Sequence, residues 1–155
     1  MAGFKVDATI KDKGIAKKLS ALEGKMKNMT GFHKNVGEYW HGSMLQNFAN
    51  ESGPDGSKWP ALSPVTIRAR LRRGGNAGIT MLREKGDLIG SYNYRASSSQ
   101  VALGSPLVYA RIQNEGGQAG RNRSVTIPAR PHVGIGPKDE QAILEIAEDY
   151  VALGR

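Results

Sequence analysis

From residue 30 to residue 50, apolar side chains return every three or four positions: Phe32, Val36, Tyr39, Trp40, Met44 and Phe48. That period gathers them on one broad face, so the segment is predicted to be the main core helix. Gly37 and Gly42 interrupt it, each at a cost of about 1 kcal/mol relative to alanine, which points to close approach of another element. Upstream, Phe4, Val6, Ala8 and Ile10 alternate with polar residues, the period of a half-buried strand. Asp12 then caps a predicted helix with the stripe Ile15, Leu19, Leu22 and Met26, its lysines mostly off that stripe.

Beyond the core helix the pattern is punctuated. Pro54-Asp55-Gly56 has turn chemistry, and Trp59 before Pro60 is pushed to an extended conformation. A tryptophan in such a loop either anchors the loop to the body, the preferred reading, or is held out for a partner. Ser63-Pro64 reads as an N-cap and first helical residue, opening a short helix that ends at Gly74-Gly75 and is crowded with Arg68, Arg70, Arg72 and Arg73. Two glycine-rich stretches, residues 72–78 and 116–124, read as mobile loops. Tyr92 and Tyr94 lead into a strand that pairs with a second around Val101 and Leu103 as an antiparallel hairpin. Residues 106–115 are predicted to be a short helix. Val125 and Ile127 are strand-like, with Pro128 and Pro131 at the edge. A terminal helix starts at Pro137, with Asp139 and Glu140 suited to its dipole.

The expected fold class is therefore α+β: a small, mainly antiparallel sheet packed against two N-terminal helices and a C-terminal helix, with long glycine-rich loops. The 155 residues suit one domain spanning 1–155.

Charge adds an asymmetry. The formal net charge is +8, but residues 1–30 hold seven lysines against three acids (+4), residues 64–100 hold seven Lys/Arg against two acids (+5), and residues 137–155 hold two basic residues against five acids (−3). Such a chain suits phosphate contact, head-to-tail stacking with its own copies, or an acidic partner. No cysteine is present, which removes disulfides, thiolate metal sites and cysteine nucleophiles. No apolar run reaches the roughly 18 residues of a membrane span, and the first residues lack a signal-peptide core, so a soluble product with no membrane partner is expected.

The requirements of catalysis go unmet. Neither GxGxxG, GxxxxGK[ST] nor GxSxG occurs. His33 and His41 are eight apart, not the three or four that share a helical face. Glu51 and Asp55 read as solvated carboxylates, and His132 as a lone structural or exposed histidine. The expectation is no enzyme, no metal and no cofactor. A cell-wall hydrolase fails for want of a carboxylate or metal constellation. The surfaces left to bind something are the loop tip Asp55-Gly56 with Trp59, the helix arginines Arg68, Arg70, Arg72 and Arg73, and the basic segment Arg121, Arg123 and Arg130. Arginines almost all round the short helix suit phosphate or an acidic surface rather than base readout.

The order of motifs carries a resemblance. Phe48 ends a helix; Pro54, Asp55, Gly56 and Trp59 with Leu62 form a PDGxxW loop. Leu82, Gly86, Leu88 and Ser91 give LxxxGxLxxS, and Tyr109, Ala110, Gly116 and Gly117 give YAxxxxxGG. Pro128, Ala129, Arg130, Pro131 and Gly134 precede an acidic C-terminal helix. Over about residues 44–150 this resembles the phage virion morphogenesis, or tail completion, family. Lys85 stands where that family often has threonine, and His132 where it often has phenylalanine. The resemblance implies a non-catalytic part in building a tailed phage: at the head-proximal end of the tail or the head–tail junction, as a homo-oligomer such as a hexameric ring, with tail or neck proteins as partners. It implies a location in the virion, and in the host cytoplasm during assembly. The alternative is a nucleic-acid-binding module using the arginine-rich segments; the two overlap where DNA passes the junction.

Overall fold

The apolar stripe of the core helix, α1 (Thr30–Asn50), is buried along its length: Phe32, Val36, Trp40, Met44 and Phe48 all lie inside. The computed structural model describes residues 4–6, 17, 20, 28–74 and 80–153. The expected helix over residues 12–26 lies outside the described residues, apart from Lys17 and Ser20, which are helical. Asn28 receives the entering chain, its Oδ1 accepting from Thr30 N at 3.0 Å and from the Thr30 hydroxyl. α1 ends at Glu51, a non-glycine residue at φ 50°. Left-handed backbone costs such a residue about 1–2 kcal/mol. It is held there because Glu51 O accepts from Trp59 N at 3.0 Å and its carboxylate accepts from Met81 N at 2.7 Å. Glu51 is thus a half-buried structural carboxylate and not the solvated group the sequence suggests.

Two hydrophobic clusters share α1. The first surrounds its C-terminal half, where Trp40, Met44 and Phe48 meet Trp59, Leu88 and Tyr92, with Leu103 and Val133. The second surrounds its N-terminal half, where Phe32 and Val36 meet Ile143, Ala147 and Tyr150. Those last three residues belong to the terminal helix, α5 (Pro137–Leu153).

A three-stranded antiparallel sheet packs on α1, in the order β1 (Phe4–Val6), β3 (Val101–Ser105), β2 (Asn93–Ala96). The register pairs Phe4 with Ser105 and Asn93 with Gly104. The β2–β3 turn closes through Ser97, whose hydroxyl accepts from Ser99 N and Gln100 N. Gly37 meets this sheet: a Cβ there would fall 2.2 Å from Tyr94 Cδ2. The close approach expected of Gly37 is therefore present. Nothing lies near Gly42, so for that glycine the expectation is corrected.

Three short helices and a two-stranded hairpin with a 3-10 turn complete the described elements. α2 (Pro64–Arg72) begins on Ser63, whose hydroxyl accepts from Thr66 N at 3.2 Å, with Pro64 at the first helical position as expected. α3 (Asp87–Gly90) is a single turn without a sequence forecast. α4 (Ala110–Glu115) starts four residues later than predicted. The stretch expected as a loop over residues 116–124 instead forms a strand and turn. β4 (Gly117–Ala119) pairs antiparallel with β5 (Val125–Ile127) across a short 3-10 turn at Arg121–Arg123. Its glycines serve geometry: Gly116 and Gly120 sit at φ 75° and 78°, where side chains are disfavoured. The fold is thus mixed helix and small antiparallel sheet.

Candidate assembly surface

The loop that leaves α1 is folded back, not held out. At its tip Ser57 donates from both N and Oγ to Asp55 Oδ1, at 3.0 and 2.6 Å. The side-chain bond first, then the backbone bond, holds the Asp55 carboxyl below its usual range. Asp55 and Gly56 are exposed, whereas Trp59 is only 4% exposed. Its ring stands edge-on to Phe48 at 5.6 Å, and its Nε1 donates to Pro131 O at 2.7 Å. Trp59 anchors the loop, and as a residue of an exposed interface it is corrected by this burial.

The receiving structure is the strap of residues 129–134. Its carbonyls are taken in turn by distant side chains. Pro131 O accepts from Trp59, His132 O from Asn47 Nδ2 at 3.2 Å, and Gly134 O from Trp40 Nε1 at 2.8 Å. Its amides are fixed as well: Asn114 Oδ1 accepts from both His132 N and Val133 N at 3.0 Å. Both tryptophans of the chain therefore donate to one strap. The loop tip presses on the same region, since a Cβ on Gly136 would lie 1.9 Å from Pro54 O.

His132 is fully buried within this frame, between the rings of Phe48, Trp59 and Tyr92. Its Nδ1 lies 2.8 Å from Arg130 O, a group that only accepts, so Nδ1 carries the hydrogen. Nε2 then accepts from the Tyr92 hydroxyl at 2.7 Å. Burial pushes the imidazole down from 6.5 to about 4, against a smaller upward pull from the Arg130 carbonyl. Burial likewise pushes the Tyr92 hydroxyl up. The pair is a neutral structural link.

The arginines separate into three settings. Arg130 is 6% exposed, with Nε donating to Pro60 O at 3.0 Å and Nη2 to Ala61 O at 3.1 Å. Burial, with Arg70 nearby, lowers its pKa. Arg130 therefore clamps the loop to the strap, which corrects its expected place in an exposed basic segment with Arg121 and Arg123. Arg70 is also largely withdrawn. Its Nη1 donates to Thr80 O at 2.6 Å and its Nε faces Glu84 at 3.2 Å, a charge contact not aligned as a hydrogen bond. Arg73 reaches the same carboxylate at 3.1 Å while staying mostly in solvent. Arg68 and Arg72 on α2, and Arg121 and Arg123 on the hairpin turn, are exposed.

Between α2, β5 and α3 lies an open cleft of about 500 Å³, with Arg70, Arg130 and Glu84 on its lining beside Leu82, Tyr109 and Val125. Apolar side chains also stand in solvent on α2: Val65 is 67% and Leu71 60% exposed. This apolar exposure is not among the sequence expectations. Its signal was α2 itself, where Val65 and Leu71 sit among arginines with no second apolar stripe to pair them inward. Among the described residues, no group of three or more His, Asp or Glu side chains is placed to hold a metal ion. No described helix is long and apolar enough to cross a membrane.

Comparison with known proteins gives this arrangement its context. A family model described as the phage virion morphogenesis family matches residues 10–152. The chain is 36% identical over 90 residues to Mu-like prophage FluMu G protein 2 of Haemophilus influenzae, a match covering 58% of this chain and 62% of that protein. It is 32% identical over 112 residues to the putative capsid assembly protein G of Escherichia phage Mu, covering 71% of each. No solved structure matches the chain. With five motifs in order, and a family match over nearly its whole length, the chain belongs to the phage virion morphogenesis family.

Proposed function

We propose that the chain is a non-enzymatic structural protein that completes the head-proximal end of a phage tail, or the head–tail junction, as a ring of copies in contact with tail or neck proteins. The observation that carries this reading is the family match over residues 10–152. The Mu relative's description as a capsid assembly protein supports work on the particle. The exposed apolar and basic face of α2 is the kind of surface an assembly subunit presents. Such a protein acts in the host cytoplasm while the particle is built and remains in the virion.

Extracts of cells infected by a phage lacking this gene provide the test. Addition of the purified chain is expected to restore infectious particles with no added substrate or cofactor. Extracts that gain nothing from the protein, or that form particles without it, contradict the reading. The nucleic-acid alternative keeps Arg68, Arg72, Arg121 and Arg123 as exposed cations but loses Arg130 to the interior. Affinity for duplex DNA that falls steeply with salt is its signature.

A further inference from the structure

α2 contributes no buried residue to the described molecule. A nine-residue helix is marginal by itself in water, and this one is tied down by the Ser63 cap and by the Arg70 and Arg73 contacts with Glu84 and Thr80 O. Its outward face runs Val65, Arg68, Ala69 and Arg72, at helical spacing, with Leu71 alongside. The helix carries three arginines and no acid.

The matching surface is at the other end of the molecule. α5 holds five acids against one lysine, with Glu145, Asp149 and Val151 exposed near its C-terminal end. That end is fixed by Tyr150, whose ring packs on Phe32 at 5.8 Å beside Gly31, at the start of α1. α2 instead follows the loop anchored by Trp59 on Phe48, at the end of α1. The 21 residues of α1 span roughly 30 Å at 1.5 Å per residue. A basic apolar face and an acidic face therefore sit at opposite ends of one rod.

Deepening the assembly reading above, on which this step rests, we infer that the Val65–Arg72 face of one copy docks on the acidic C-terminal end of α5 in the next copy. Val65 and Leu71 lose water against Val151 and Ala152, while Arg68 and Arg72 face Glu145 and Asp149. The apolar contact supplies attraction and the charges supply register and encounter rate. The two patches differ, so the contact is head-to-tail and propagates until its rotation closes a ring.

Charge exchange tests this in the purified full chain. Arg68→Glu/Arg72→Glu and Glu145→Arg/Asp149→Arg each replace exposed side chains, so circular dichroism is expected to match the wild type. Each variant alone is expected to weaken self-association in sedimentation more than about tenfold. An equimolar mixture is expected to regain assemblies of more than two chains, dispersed by high salt. The chain lacks cysteine, so Leu71→Cys/Val151→Cys gives a second readout that tolerates weak binding. Oxidation should produce a ladder of linked copies, and each single variant should not. A wild-type chain that stays monomeric together with a double-cysteine variant that gives no ladder, charge variants that associate normally, or a ladder that stops at two overturns the inference. These outcomes leave the extract test of the phage role untouched, and failure of that test leaves the ladder interpretable.

Discussion

His132 shows how one buried side chain makes stability depend on acid. Its imidazole titrates near 4 when folded and near 6.5 when unfolded. The unfolded chain takes up the proton first, so stability rises with pH across that window. Its contribution is complete above pH 6.5 and is lost as pH falls to about 4, by roughly 3 kcal/mol. Denaturant melts from pH 7 to 4 are expected to show that loss, and in His132→Phe this component of the slope should vanish. The variant should also start about 1–3 kcal/mol less stable at pH 7, because the Tyr92 hydroxyl and Arg130 carbonyl lose their partner. Trp59→Ala removes a buried ring and a hydrogen bond together, at an expected cost of about 3–5 kcal/mol. Unchanged melting in that variant would contradict its anchoring role. That Trp59 could anchor a loop was legible from Pro54-Asp55-Gly56 and Pro60 around it. That Arg130 is internal was not, because its acceptors, Pro60 O and Ala61 O, lie about seventy positions away and backbone carbonyls leave no mark in a sequence.

At the scale of elements, the start of α5 is the point where helix, core and charge meet. Asp139 is 2% exposed and accepts from Gly136 N at 2.8 Å, from the Tyr39 hydroxyl at 3.1 Å and from the Ser43 hydroxyl. It caps α5 and joins it to α1. Burial first, then the Asp139 charge, pushes Tyr39 up to about 12. Its unionised form is therefore favoured in the fold, and stability is expected to fall as pH rises from 10 towards 12. Asp139→Ala should cost about 3 kcal/mol by leaving buried donors unpaired, whereas Ser63→Ala at the exposed cap of α2 should cost only about 1 kcal/mol. Thermal melts rank the two, and equal losses would contradict the argument. α1, α2, α5 and the β2–β3 hairpin were readable because periodicity and capping agree locally with the fold. The β4 strand and its turn were not, since Gly116, Gly117 and Gly120 signal flexibility and tight geometry with the same letters. α3 is one turn, too short for a period to register.

Across the whole molecule, strap, loop and α1 form a braced body that leaves much of α2 and the outer face of α5 in solvent. Family membership could be read from motif order, yet which of the nominated side chains stay exposed could not. Of the ten residues the sequence nominated, Trp59 and Arg130 are inside and Arg70 largely so. The exposed apolar pair Val65 and Leu71 was overlooked because solvent exposure is a property of the packed chain. In the proposed role this chain works by fitting between other parts of a phage particle. Electron microscopy of lysates from a phage lacking the gene tests it most directly. Separate heads and tails are expected, joined again when the wild-type chain is supplied but not with Arg68→Glu/Arg72→Glu. Complete, infectious particles in the absence of the protein would contradict it.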